Sequence, residues 1–168
     1  MTAIIEFNDV EFSLFRGQEC LYHSPAFAIV RDEALLFGEP ALRLARIHPQ
    51  QANQQYLTRM NADPLPHPIR TAANHADLVY LHLKELAELS QEDALLAVPG
   101  TMGGDQLGVL LGICQEVGIA VSGFVNAAVA AVSTTRIPER IVYLDVFLQH
   151  IQISQLSVNT EIKHDHSV

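Results

Sequence analysis

Two periodicities divide the chain. In residues 1–37 apolar and polar residues alternate, as in VEFSLFR (residues 10–16), and turn residues such as Gly17 separate the segments. This pattern predicts an antiparallel meander of short strands, because alternate side chains of a strand point to opposite faces of its sheet. Two further strands are predicted around a turn at residues 31–33, followed by a short helix after Gly38.

The second half of the chain alternates helical patterns with short apolar runs. From Thr71 onward, leucines recur on one broad helical face. The runs DALLAVP (93–99) and IAVSGF (119–124) are typical of buried parallel strands, and each is followed by a predicted helix. A strand meander followed by alternating helices and strands predicts a mixed α/β fold. Both parallel strands are expected to lie beside the meander.

Three segments complete the predicted organisation. Residues 48–70 carry four prolines and several amides, so they are predicted to be an irregular connection. ERIVYLDV (139–146) and HIQISQLSV (150–158) are predicted to be strands. A polar tail is expected over residues 158–168.

Composition and charge exclude several classes of partner. Hydrophobic residues make up 49% of the 168 residues, which is typical of a single globular domain. The net charge is −9, and Lys84 and Lys163 are the only lysines. A chain with so few cations lacks the basic surface that nucleic acids or anionic membranes require. We therefore expect a protein partner, with no nucleic acid and no membrane.

Location is expected to be cytoplasmic. The chain has no apolar run long enough to span a bilayer, and its start, MTAIIEFNDVEF, lacks the basic and apolar regions of a signal peptide. Cys20 and Cys114 are far apart in the sequence, which is typical of reduced, structural cysteines.

The turn GTMGGD (100–105) lies where a predicted strand ends and a helix begins. Backbone N–H groups at such a position can hold an anion. However, the turn matches neither the Walker loop nor the dinucleotide fingerprint. We interpret its glycines as serving the start of the helix, with phosphate binding as the weaker alternative.

Histidine and serine patterns give no built catalytic or metal site. His75 and His82 are two helical turns apart, and His164 and His166 flank Asp165 in the predicted tail. We interpret these histidines as surface residues. No G-x-S-x-G sequence is present, so a serine hydrolase of that type is not indicated.

Four segments, in order, resemble the first lobe of the actin and heat-shock-chaperone (DnaK-like) ATPase superfamily. They are the opening AIIEFNDVEFSLFR, the stretch at residues 25–51, the stretch at residues 95–132, and RIVYLDVFLQHIQISQL at residues 140–156. The resemblance implies a ribonuclease-H-like mixed sheet with flanking helices. It implies a first lobe at residues 3–134 with an irregular insertion at 27–70, and a strand pair at 138–157 that opens a second lobe.

The same resemblance places the loops that hold nucleotide, and both are altered here. The first loop, D-L-G-T-T in the family, is EFNDV (6–10), and the second, D-L-G-G-G-T, is DVFLQH (145–150). Close approach to phosphate needs glycine, and Asp9 adds a negative charge that would repel phosphate. In the stretch at residues 95–132 the family has N-E-P-T, and the catalytic acid expected after its asparagine, Asn126 here, is replaced by Ala127. By resemblance, the remaining nucleotide-binding candidates are Glu6, Asn8, Asn126 and Asp145.

The resemblance with altered loops predicts a non-catalytic module that acts in protein binding or assembly, with no cofactor, metal or hydrolysis. The alternative is the ATP-binding lobe of a longer chaperone or actin-like ATPase, which would use ATP and Mg²⁺. A sugar or acetate kinase of the superfamily would need a substrate lobe that this sequence lacks.

The strand pair at 138–157 has no sheet of its own in a single lobe, so self-association into a homo-oligomer is expected. The residues predicted to mediate it are Ile141, Tyr143, Ile151 and Ile153.

Overall fold

A computed structural model describes residues 2–69, 71–90, 93–133, 139–158 and 162–167, with backbone alone at 67, 68, 158 and 162–167. The first part contains β1 (Ala3–Phe7), β2 (Glu11–Arg16), β3 (Glu19–Pro25), β4 (Ala28–Arg31), β5 (Ala34–Phe37) and α1 (Gly38–Ala45). A 3-10 turn at Pro49–Gln51 leads to β6 (Ala52–Asn53), β7 (Pro64–Ile69) and β8 (Ala72–Asn74). The second part contains α2 (His75–Ala87), β9 (Ala94–Val98), α3 (Gly104–Val117), β10 (Val121–Asn126), α4 (Ala127–Ser133), β11 (Arg140–Val146), β12 (Ile151–Val158) and β13 (Ile162–Ser167).

The main sheet has five strands in the order β10-β9-β1-β2-β3. β1, β2 and β3 form the antiparallel meander, whereas β9 runs parallel to β1 and β10 runs parallel to β9. The mixed α/β class is confirmed, and both parallel strands lie beside the meander as expected.

β1 is the central strand, and its register positions the candidate site. Ala3, Ile5 and Phe7 are buried on one face. Because β1, β9 and β10 run in the same direction, their carboxyl ends meet at one edge of the sheet. Glu6 and Asn8 lie at that edge, which is where open α/β sheets commonly bind ligands.

The main core lies between the sheet and helices α2 and α3, which pack against each other. α2 begins one turn later than the leucine pattern indicated, because the Asn74 side chain caps it by accepting the Asp77 N–H at 2.8 Å. α3 ends, as predicted, at Gly118, whose φ of +86° is the left-handed conformation that glycine adopts easily.

The segment predicted to be an irregular connection contributes to this core. Tyr56 is fully buried, and Leu57, Met60 and Leu65 are nearly so. The sequence did not predict the burial of these four residues. They are spread among amides and prolines and show no helical or strand periodicity, which is the usual sequence signal of a buried face.

A second sheet has the order β11-β12-β13. The segment expected to be a polar tail therefore contains a strand, β13, that pairs antiparallel with β12. Beneath this sheet, Ala128 and Val132 of α4 form a small core with Leu156 of β12. The strand pair at 140–158 thus has a sheet of its own and a helix to pack on.

Two glycines with the same backbone conformation should differ sharply when changed to alanine. Gly38 and Gly17 have φ values of +65° and +63°, but a Cβ at Gly38 would collide with Ser24 Oγ, whereas one at Gly17 meets open space. We expect Gly17→Ala to cost about 1 kcal/mol of unfolding free energy and Gly38→Ala about 2 kcal/mol more. Urea denaturation of both variants tests this, and equal losses would contradict it.

Candidate functional site

A cleft of about 440 Å³ opens beside the carboxyl end of β1. Its lining includes Glu6 of β1 and Asn8 of the following loop, Ala127 at the start of α4, and Asp145 and Phe147 of β11 and its turn. Three of the four predicted nucleotide-binding residues are therefore brought together. The fourth, Asn126, does not line the cleft; its side chain accepts the Ala128 N–H at 2.9 Å at the start of α4.

Asn8 is fully engaged in shaping the first loop. Its side-chain oxygen accepts the N–H groups of Val10 and Glu11, each at 2.9 Å, and its amide donates to Glu6 at 3.2 Å. These bonds form an Asx turn that carries the chain from β1 into β2. The Asn8 side chain is therefore a structural element of the loop.

Asp9, which was expected only to repel phosphate, binds the second loop. Its carboxylate is 2% exposed and accepts the backbone N–H groups of Leu148 at 3.0 Å and Gln149 at 2.9 Å. Hydrogen bonds to an ionised carboxylate are among the strong ones in proteins. One buried side chain thus joins the β1–β2 loop to the β11–β12 turn, across 139 and 140 positions of sequence.

The turn that Asp9 binds has the shape that such a contact needs. Phe147 donates its N–H to the His150 carbonyl at 2.9 Å, and this closes a tight turn whose central residues are Leu148 and Gln149. The His150 Nδ1 atom lies 3.8 Å from the Asp9 carboxylate, and its ring contacts the Phe147 ring. Two consecutive N–H groups at the tip of a turn need an acceptor, and Asp9 supplies it.

Two other acids of the cleft, Glu6 and Asp145, have raised pKa values. Burial raises the pKa of Glu6, the neighbouring Glu11 and Asp145 carboxylates raise it further, and the Asn8 hydrogen bond partly offsets both effects. Burial likewise raises the pKa of Asp145, against a hydrogen bond from Tyr143 that lowers it. One oxygen of Asp145, Oδ2, is buried without a hydrogen-bond partner. The cleft therefore disfavours further negative charge.

The residues that line the cleft supply little for binding or transferring a phosphoryl group. Lysine and arginine are absent from its described lining, and Ala127 stands where the resemblance would require an acid. Across the described ranges, no three histidine, cysteine or acidic side chains are grouped so as to hold a metal ion. What the cleft offers is three carboxylates, those of Glu6, Glu11 and Asp145, and a phenol, Tyr143, in a partly buried space.

The glycine turn before α3 is occupied by protein groups. The Gln106 side chain accepts the Gly103 N–H at 3.3 Å and donates to the Thr58 carbonyl at 2.9 Å. Thr101 contacts Gln152 of β12 at 3.4 Å. These contacts agree with the interpretation that the glycines serve the start of the helix.

His82 corrects the interpretation of the histidines as surface residues. It is fully buried, and its two ring nitrogens lie 2.7 Å from Ser24 Oγ and 2.8 Å from the Tyr56 hydroxyl. The ring stacks on Phe37. The helical pattern gave no signal of this, because the two hydroxyls that satisfy the imidazole come from distant segments. Burial lowers the His82 pKa to about 3, so the ring is neutral.

The second sheet separates the predicted self-association residues by face. Ile141 and Tyr143 point inward, are partly buried and pack on the small core between the sheet and α4. Ile151 and Ile153 point outward and are about half exposed. The outward neighbours on β11 are instead Val142, Leu144 and Val146, since side chains of a strand alternate between faces.

Comparisons with known proteins add no relative. A scan against models of protein families finds no match, and a search of curated proteins finds none. In the described part of the chain, no helix combines the length and the apolar character needed to cross a membrane.

His82 predicts a specific dependence of stability on pH. The unfolded imidazole takes up a proton below about pH 6.5, whereas the folded one resists protonation down to about pH 3. Unfolding free energy should therefore fall with decreasing pH across this window, by up to about 1.4 kcal/mol per pH unit from this group. His82→Gln should be less stable at pH 7 by roughly 1–3 kcal/mol, and its stability should fall less steeply between pH 6.5 and pH 4.

Denaturant melts at several pH values measure both effects. His48→Gln, at a half-buried position outside this cluster, is the matched control and should keep the steep dependence. Parallel pH profiles for wild type and His82→Gln would contradict the assignment.

Proposed function

We propose that this chain is a non-catalytic module of the actin and heat-shock-chaperone ATPase type that acts in protein binding or assembly. The antiparallel meander followed by parallel strands supports a ribonuclease-H-like classification of its main sheet. The order of loop, helix and hairpin around the cleft agrees with the resemblance of the four sequence segments.

The contact between Asp9 and the β11–β12 turn carries this proposal. In the resembled family the first and second loops approach phosphate through backbone N–H groups. Here the N–H groups of Leu148 and Gln149 already bind an anion, which is the chain's own carboxylate. A phosphate at this position would have to displace a buried charge that is bonded twice, and would leave that charge without partners.

The acids of the cleft add a second argument. Burial raises the pKa of both Glu6 and Asp145, and the Glu11 and Asp145 carboxylates raise the pKa of Glu6 further. A triphosphate would add several negative charges to this partly buried space without a lysine or arginine in its described lining. We therefore expect neither nucleotide binding nor hydrolysis.

The part of the proposal that concerns protein binding rests on exposed apolar side chains. In the part of the chain that the structure describes, nine large hydrophobic residues are exposed, and six of them lie on the β11–β12 hairpin. Single exposed hydrophobic residues are normal, whereas a cluster of this kind marks an interaction site.

We place this role in the cytoplasm. Cys20 is exposed and Cys114 is buried, and neither forms a disulfide. Thiols that remain reduced are usual in that compartment.

Calorimetric titration with ATP or ADP in the presence of Mg²⁺ tests the loss of nucleotide binding. The expected result is no saturable heat at millimolar nucleotide, and no change in melting temperature. Saturable binding would overturn the proposal and support the alternative, an ATP-binding lobe of a longer chaperone or actin-like ATPase.

Asp9→Asn should loosen the hairpin. The two N–H groups bind different oxygens of the Asp9 carboxylate. An amide in the same orientation keeps one acceptor and turns its NH₂ group toward the other N–H, so we expect a loss of roughly 2–4 kcal/mol of unfolding free energy. Hydrogen exchange at the Leu148 and Gln149 amides should accelerate more than exchange in β1. Asp63→Asn, at an exposed acid with only local bonds, is the control. Unchanged exchange at the turn would contradict the role given to Asp9.

A further inference from the structure

The outer face of the second sheet is a continuous apolar surface. Its β11 row contains Val142, Leu144 and Val146, and its β12 row contains Ile151 and Ile153. The strand register places Leu144 opposite Ile153 and Val146 opposite Ile151. The rows therefore form one block of side chains, which we call the outer face.

The area of the outer face suits a protein interface. Its five side chains are between 49% and 70% exposed. Together they offer on the order of 500 Å² of apolar surface, which is at the upper end for a monomer that has no partner. A stable interface buries about 800 Å² on each partner. The outer face supplies more than half of this area, so the contact also has to bury residues around it.

The charge of the outer face also favours a second copy of this chain. Among the outward positions of the two rows, 140, 142, 144 and 146 on β11 and 151, 153, 155 and 157 on β12, Arg140 is the only charged residue, because Asp145 belongs to the inward set. The chain as a whole has a net charge of −9, so most of its surface would repel a copy of itself. An uncharged apolar face lets two acidic molecules meet while their charges remain in solvent.

We propose that the outer face of β11 and β12 packs against the same face of a second copy, related by a two-fold axis. This proposal rests on the proposed function and names the partner of its binding surface. A two-fold contact is self-complementary, so Leu144 and Ile153 at the centre of one face meet the equivalent residues of the other. The inner face stays packed on α4, so no rearrangement of the hairpin is required.

Sedimentation equilibrium or light scattering of the whole chain tests this interface. At tens of micromolar the wild type should have a mass of about 37 kDa, twice the 18.5 kDa of one chain. Leu144→Glu buries a charge at the centre of the contact and should raise the dissociation constant at least roughly a hundredfold. The variant should then sediment as a monomer.

Ile47→Glu is the matched control, because Ile47 is as exposed as Val142 but lies outside the second sheet. This variant should remain dimeric, and circular dichroism should show both variants folded. A monomeric wild type, or a Leu144→Glu variant that remains dimeric, would overturn the proposed interface. The oligomeric state does not change the outcome expected from the nucleotide titration. Failure of the proposed dimer can therefore be distinguished from failure of the proposed function.

Discussion

The buried carboxylate of Asp9 connects the main sheet to the turn of the second sheet. Asp9, at the end of the central strand, satisfies two N–H groups at the tip of the β11–β12 turn. Much else follows from that bond. The Asx turn of Asn8 presents Asp9, the turn closed by Phe147 and His150 presents its donors, and the hairpin is thereby held over α4. Because the bond is charge-assisted and buried, its loss would leave an unpaired charge as well as two unpaired donors.

The same contact affects both the binding of ligands in the cleft and the exposure of the outer face of the second sheet. The two N–H groups at the tip of the β11–β12 turn are already bound by Asp9 of the β1–β2 loop, so they are not free to bind a ligand. The same bonds hold the turn in place while the hairpin's inner face packs on α4. The outer face is then presented as a rigid surface. A binding surface of this kind loses little conformational entropy when a partner arrives, which favours association.

The sequence predicted the parts of the fold that depend on local periodicity. The meander and the helices have patterns that repeat every two or every three to four residues. The two parallel strands are short apolar runs between turns, and Gly118 marks the end of α3. Tyr56 and His82 could not be predicted in this way. Their burial depends on partners far away in the sequence, Ser24 and Phe37 among them, and no local period encodes such a meeting. At the cleft, the family resemblance predicted that Glu6, Asn8 and Asp145 belong to one site. It gave Asp9 only the role of a charge that repels phosphate, because the partner of Asp9 is a turn 139 positions away in the sequence.

β11 has a further consequence for the chain before it folds. Its residues from 141 to 144 are all apolar, because the inward side chains fill the small core and the outward ones form the outer face. An unfolded chain therefore exposes a short segment with high strand propensity and no internal charge, which is typical of sequences that start aggregation. Arg140 and Asp145 stand at its two ends. Charges in such flanking positions oppose aggregation, so we expect Arg140 and Asp145 to limit it while the chain is unfolded.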